Sequence, residues 1–556
     1  YNATTLFLKS AIASRHATQP QHADEQAILV QKGPPGVKNA VAAERAVQAT
    51  MADTKAANDD AFAKLCSKTS TEYPFTIINR PPAPSVNTTK VSVLWPVLLS
   101  TLLALPSIVY AVVLAVWRYI THSTKAETCE FAHADTPRNR LLVARLRKSL
   151  AAQPPPTNWC AHSGDLGTLV PFATFGEGAP VNWRRRWLRV ARAPAPDGVD
   201  GFSRRGGKED DEAVALDIAL PDQPRDDAPV ILVLHGLNGG SDEPYVRDLA
   251  QAAHERGSVC ACLVARGLMA TPVRASLFHG GRTSDVGCAV AVLKECFGDR
   301  IALIGISMGG IVAANYAARS GPQSNLVACC AVSATLCSEA VLGPIGDRAR
   351  LLWHPPLTLE LKKTFLGGPN APLLYETCSV DDIMATHTIA AFDTALVCPF
   401  NGYAAIDCEG GYYDDMSAAG RGDAEGFRRL SNVHTPTFIL HARDAPIVPF
   451  ASCLPEACQK AGHVVLLATE SGGHAGWPRG RHPTEHRWGF MHGLCLDFVA
   501  AAVATQPFKV DMNQGPVFDA DFQIRPAYRA ASNRGPLYGK AVRRAAAKAA
   551  ARGPSS

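Results

Sequence analysis

The sequence is short of charge: of its 556 residues only 19% are Asp, Glu, Lys or Arg, and the net charge is +5. Its lysines and arginines are scattered, without the clustered basic face that binding to phosphate backbones requires, so no nucleic-acid partner is expected. Cys-x-x-Cys spacing is absent as well, although there are 16 cysteines. They are dispersed, and pairs such as Cys260 and Cys262 or Cys329 and Cys330 sit inside apolar runs. They read as small buried thiols of a reducing compartment, not as a disulfide framework or zinc ligands. No cofactor and no metal is expected. A hydrophobic content of 47% supports a sizeable core, and the length predicts one large domain with extra segments at its ends.

Residues 1–90 lack any sustained hydrophobic period and are expected to form a mostly disordered leader. The first residue is Tyr1, not Met, which leaves room for a start further upstream. Residues 91–117, Val91 to Trp117, lack charge altogether, between Lys90 and Arg118. A helix of that length crosses a hydrocarbon core of about 30 Å. Lipid tolerates Pro96 and Pro106, and Trp95, Trp117 and Tyr119 suit its interfaces. A single-pass transmembrane helix is therefore expected, with its sidedness open, because Arg80 and Lys90 balance Arg118 and Lys125.

Residues 118–225 read as a connecting region and the start of the folded domain, broken at Pro154-Pro155-Pro156, with a solvated basic cluster at Arg184-Arg185-Arg186. From there a domain over 226–505 alternates short apolar runs with helical segments. The runs are Val230 to His235, Val259 to Ala265, Ile301 to Ile306, Leu326 to Val332, Thr437 to His441 and Val464 to Ala468. This alternation predicts an α/β fold, a mainly parallel sheet flanked by helices. Residues of about 335–434 carry no clear strand, and an excursion of that size between strands is expected to be a cap over the site. Residues 506–556 form a basic, Ala-rich tail.

The chemistry centres on Gly305-Ile306-Ser307-Met308-Gly309, a GxSxG motif that follows an apolar strand and precedes a helical run. A serine on a sharp strand-to-helix turn projects its hydroxyl above a sheet, and flanking glycines remove side chains that would collide there. Ser307 is the expected nucleophile. A serine hydroxyl needs a base, and the base an orienting acid, in the chain order Ser, acid, His. Asp444 follows the strand Thr437 to His441, and His474 follows Val464 to Ala468 in a Gly472-Gly473 turn. Asp444 is thus the candidate acid and His474 the candidate base. The backbone N–H groups of Met308 and of Leu237, in the loop Gly236-Leu237-Asn238-Gly239-Gly240-Ser241, are the candidate oxyanion donors. That loop has neither the GxxxxGK[ST] nor the GxGxxG spacing of a phosphate site. Two further matches are discounted. His482-Pro483-Thr484-Glu485-His486 fits a metalloprotease pattern that needs one continuous helix, which Pro483 disfavours, and His492 with Asp497 is a spacing expected by chance.

The run His235-Gly236-Leu237-Asn238-Gly239-Gly240-Ser241, continuing to Tyr245-Val246, resembles the HGLTGGSxxxYV segment of the AB hydrolase 4 family. Arg266-Gly267, Thr271-Pro272, Thr283-Ser284-Asp285, GxSMGG, Phe392-Asp393, Gly402-Tyr403, Tyr412-Tyr413 and Ser417 follow in that family's order, over roughly residues 155–500. The resemblance implies an α/β-hydrolase fold and a membrane-anchored enzyme acting on lipid or carboxylic esters. A serine carboxylic-ester hydrolase for lipid esters of the acylglycerol or phospholipid type is the leading expectation. Acyl transfer from acyl-CoA to an alcohol stays open, as does a non-catalytic, membrane-tethered binding module. The sequence departs from the family at Asp444-Ala445-Pro446, where Asp-Asp-Pro is usual, and by an insertion over Asp197 to Glu212.

Overall fold

Six short, uniformly apolar segments form the centre of one sheet. They are β5 (Val230–Leu234), β6 (Cys260–Val264), β7 (Ile301–Ile306), β8 (Ala328–Val332), β9 (Thr437–Ala442) and β10 (Val464–Thr469). Every residue of these strands is buried, as expected of parallel strands covered on both faces. The computed structural model describes residues 75–78, 113, 117, 129–190, 212–269, 271, 273, 277–408, 410–421, 429–505 and 516–518, all within the unit Thr69–Ser556. The expected transmembrane segment 91–117 lies outside the described residues except for Val113 and Trp117, and among the described residues no helix is long and apolar enough to cross a membrane.

The sheet order is β1-β3-β4-β6-β5-β7-β8-β9-β10-β2-β11, where β1 is Phe75–Ile78, β2 Cys129–Ala134, β3 Arg184–Val190, β4 Glu212–Ala219 and β11 Pro516–Phe518. Strands β6 to β10 and β5 run parallel, while β1, β3 and β4 on one side and β2 and β11 on the other pair antiparallel. Segments expected as leader, connector and tail thus each supply strands. The connector contributes most: β2, β3 and β4 extend both sides of the parallel core. Arg185 of the cluster expected to be solvated lies opposite Asp217 in the β3–β4 ladder and forms a two-pronged ion pair with it, at 2.7 and 2.8 Å.

Helices α1 (Pro137–Ala151), α3 (Pro244–His254) and α7 (Gly489–Ala504) bury Leu142, Leu249 and Phe498 against Ile231, Ile304 and Phe438 on one face. Helices α4 (Ser284–Phe297) and α5 (Met308–Ser320) pack on the other face, where Cys329 Sγ donates to the Ala313 carbonyl. Helix α2 (Gly164–Thr174) lies at the carboxyl ends of the strands, against Asp444 and Gly472. Between β8 and β9 the described residues are helical or irregular, the longest helix being α6 (His354–Leu366). The described cysteines are free thiols, most of them buried.

The reversal of strand order about β5 matters for the site. Chain leaving β5 goes to β6 on one side, and chain entering β7 returns on the other, so the loops beyond β5 and β7 face a shared crevice. Register aligns them: Leu234 pairs with Gly305, Ile306 with Val332, and Val332 with Leu440.

Candidate active site

Ser307 stands between β7 and α5 with φ 58° and ψ −120°, a conformation that non-glycine residues adopt only under constraint. The flanking glycines explain how it is tolerated. A Cβ at Gly305 would collide with the Gly309 carbonyl, and one at Gly309 with the Leu234 carbonyl and, at 2.6 Å, with that of His235. The turn is held by the Ser307 N–H, which donates to the Val332 carbonyl at 2.8 Å, and by the Ser307 carbonyl, which accepts from Ile311 N–H at 3.1 Å.

Ser307 Oγ and His474 Nε2 are 2.7 Å apart. Burial, with the nearby His441, pushes the His474 imidazole down to about 3, so it is neutral and its Nε2 lone pair is available to the serine hydroxyl. The histidine sits in a loop with φ 152° at Gly472, 65° at Gly473 and 56° at Ala475. Three consecutive N–H groups anchor this loop to three different elements. Gly473 donates to Asp444 Oδ1 at 2.9 Å, His474 to Thr168 Oγ1 at 2.7 Å, and Ala475 to Ser333 Oγ at 2.9 Å. Asp444 meets the histidine loop at Gly473, the residue before His474, and the buried Nδ1 of His474 makes no hydrogen bond. Ala445 is buried and lines a cavity of about 170 Å³ with Arg348, Arg443 and Phe450.

Leu237, on the loop after β5, and Met308, at the start of α5, are both half-buried. A Cβ placed on Gly236 would lie 3.5 Å from Ser307 Cβ, so the β5 loop runs directly past the nucleophile. His235 locks that loop. Its Nε2 accepts the Ala265 N–H at 3.1 Å, which leaves the proton on Nδ1 to donate to the Gly236 carbonyl at 2.8 Å. Burial lowers its pKa and keeps it neutral for this role. Gly236 N–H donates to Tyr245 Oη at 2.8 Å, and Asn238 takes the left-handed φ of 60°. The far end is tied down where Ser241 Oγ donates to Asp217 Oδ2 at 2.5 Å, the carboxylate that Arg185 also holds. Sequence reasoning missed His235, Arg185, Asp217, Thr168 and Ser333. For His235 a signal existed, since it closes β5 immediately before the glycine loop.

Residues 229–476 match the family described as alpha/beta hydrolase fold. The matched span, somewhat under half of the chain, holds Ser307, Asp444 and His474. Among curated proteins it is similar to the monoacylglycerol lipase of Saccharomyces cerevisiae, 30% identical over 50% of this chain and 61% of the lipase. It is also similar to phospholipase ABHD3 of Mus musculus, 27% identical over 63% of this chain and 78% of the phospholipase. The chain thus spans less than two thirds of the lipase's length and about four fifths of the phospholipase's.

The remaining motif residues are structural. Arg266 and Asp285 form a buried ion pair at 2.6 and 2.8 Å between the β6 loop and α4. Thr271 Oγ1 accepts the Gly267 N–H at 2.9 Å, and Asn370 clamps the same loop by donating to the Thr271 carbonyl and accepting from Val273 N–H. Asp393 accepts from Tyr413 Oη at 2.9 Å, and Tyr403 bonds Asp415, which pairs with Arg319 of α5 at 2.5 Å. These contacts bind the β8–β9 excursion to the sheet. It also approaches the nucleophile: a Cβ on Gly280 would meet Met416 Cε at 2.9 Å and Met308 Sδ at 3.1 Å. The discounted motifs lie elsewhere. Glu485 accepts from Arg481 N–H in an exposed turn, while His492 is buried in α7 and Asp497 pairs with Arg256 at 2.8 Å.

Proposed function

We propose that this protein is a serine carboxylic-ester hydrolase acting on lipid esters of the acylglycerol or phospholipid type. The observation that carries this reading is the 2.7 Å contact between Ser307 Oγ and the neutral, buried Nε2 of His474, at a turn strained enough to present the hydroxyl. His474 takes the proton as Ser307 Oγ attacks the ester carbonyl. The tetrahedral oxyanion is met by the N–H groups of Leu237 and Met308, and its collapse expels the alcohol, which His474 protonates. Water, deprotonated by the same imidazole, then releases the acid from the acyl-enzyme. Asp444 steadies the histidine loop throughout.

The names of the two relatives support lipid esters as the substrate class. So does the apolar pair Met308 and Met416 beside the nucleophile, which suits an acyl chain. The reading extends to a membrane protein anchored by the uncharged residues 91–117, which would bring the domain to substrates dissolved in lipid. The test joins a fluorophosphonate probe with a panel of acylglycerols and phospholipids. The probe should label Ser307, and Ser307→Ala should lose label and turnover by about 10⁴-fold or more. An unlabelled wild-type protein, or a Ser307→Ala variant that still hydrolyses esters, would sink the assignment. Ester formation from an acyl-CoA and an alcohol in place of hydrolysis would mark an acyltransferase instead.

A further inference from the structure

The base of this site hangs on a loop that leaves β10 at Thr469 and includes two glycines of positive φ before the histidine. Nothing in such a loop fixes a ring by itself, and the ring's own contacts are few: Nε2 meets Ser307, and Nδ1 makes no hydrogen bond. The place of the imidazole is therefore set through its backbone. The bond made by the histidine's own N–H goes to α2, a helix that precedes the 229–476 span matched by the hydrolase family.

We propose that Thr168 of α2 is a positioning residue for the catalytic base, fixing His474 through the hydrogen bond from the histidine N–H to the threonine hydroxyl. The inference rests on the reading of Ser307 and His474 as nucleophile and base. Thr168 is fully buried, and its hydroxyl is committed in both senses. It donates to the Gly164 carbonyl one turn back, at 2.6 Å, which turns its lone pair toward the His474 N–H at 2.7 Å. The surfaces meet without slack. A Cβ on Gly473 would lie 2.6 Å from the Gly164 carbonyl oxygen and 2.7 Å from Thr168 Oγ1, and one on Gly476 would collide with the Gly167 carbonyl. Removing the hydroxyl leaves the His474 N–H buried and unpaired, which the loop can relieve only by moving. That movement lengthens the Ser307–His474 contact, and proton transfer depends steeply on its distance.

The experiment compares Thr168→Val, which keeps the shape and removes the hydroxyl, with Thr168→Ser, which keeps the hydroxyl. Thr437→Val serves as the control, because it removes another buried hydroxyl at the amino end of β9, the strand end away from the His474 loop. Turnover of a short-chain p-nitrophenyl ester and the rate of fluorophosphonate labelling are measured for each folded variant. Thr168→Val should lower kcat and the labelling rate about tenfold or more, with KM within about twofold of wild type. Thr168→Ser should restore both, and Thr437→Val should leave both unchanged. If Thr168→Val does not fold, Thr168→Cys, with a weaker acceptor in the same volume, takes its place with the same expectations. Wild-type kcat in the hydroxyl-free variant, or a serine variant as slow as the valine one, overturns the proposal alone. A wild-type protein that neither labels nor hydrolyses removes the reading of Ser307 and this inference with it.

Discussion

Asp444 Oδ1 accepts the backbone N–H of Gly473 at 2.9 Å, so the acid meets the histidine loop one residue before His474. Its contribution in this geometry is to hold a glycine of φ 65° where the next residue can aim at Ser307. Asp444→Ala removes both that brace and the nearby negative charge that favours an imidazolium during catalysis. Its kcat should fall by roughly 10³-fold or more with fluorophosphonate labelling slowed in parallel. Asp444→Asn retains an acceptor for Gly473 and should keep the loop in place while losing the charge. Steady-state kinetics on both variants check this, and an alanine variant with turnover close to wild type would remove Asp444 from the site.

Gly309 is the elbow glycine that faces β5, where an added Cβ would collide with the carbonyls of both Leu234 and His235. These are backbone atoms of β5 and its loop, and they cannot rotate away as a side chain could. Gly309→Ala should therefore push the start of α5 away from β5 and carry the Ser307 hydroxyl off the His474 ring. The expected result is a loss of turnover of about 10²-fold or more for a displacement near 1 Å. Stability should fall too, by about 1–3 kcal/mol as for other overpacked interiors. Activity and urea unfolding measured on the same preparation give both readouts, and a fully active variant would show that the elbow can relax.

The central strands were legible because each is a short apolar run ended by a turn, a signal that depends on nothing beyond its own residues. Ser307 and its glycines were legible for the same reason, as strand, turn and helix are contiguous there. Strand β3 was not, since Arg184, Arg185 and Arg186 look like a solvated face until Asp217 is brought opposite them across the ladder. Thr168 was equally invisible. It lies 306 residues from His474, and a threonine inside an apolar helix carries no mark of the N–H it will meet. What sequence hides here is long-range hydrogen bonding by ordinary polar residues; what it displays is local backbone geometry and runs of burial.

The buried histidines make stability depend on pH with a definite sign. Burial lowers His474 and His492 to about 3, and His354, His441 and His463 to about 4. Each stays neutral in the folded chain but takes up a proton near 6.5 once unfolded. Between about pH 6.5 and pH 4 the unfolded state therefore binds more protons, and stability is complete above that window and lost as pH falls through it. Urea midpoints should be level from pH 8 to 7 as far as these groups are concerned, and should drop progressively at pH 6 and 5. Equal midpoints at pH 7 and pH 5 would mean that these rings are protonated in the folded state.

Asp393 has the opposite sign. Burial raises its carboxyl to about 7, against the lowering effect of the Tyr413 hydroxyl that donates to it. A folded pKa above the unfolded value of 3.8 means that the favourable, protonated form is fully present below 3.8 and is lost as pH rises through about 7. At pH 8 the folded chain carries an ionised carboxylate inside the β8–β9 excursion, a desolvated charge that accepts from the Tyr413 phenol. Asp393→Asn keeps an oxygen for Tyr413 and cannot ionise. The variant should accordingly be more stable than wild type at pH 8, with the difference shrinking toward pH 5. Thermal melts of the two proteins across that range decide it, because a stability difference that does not change between pH 5 and pH 8 would show that Asp393 does not titrate there.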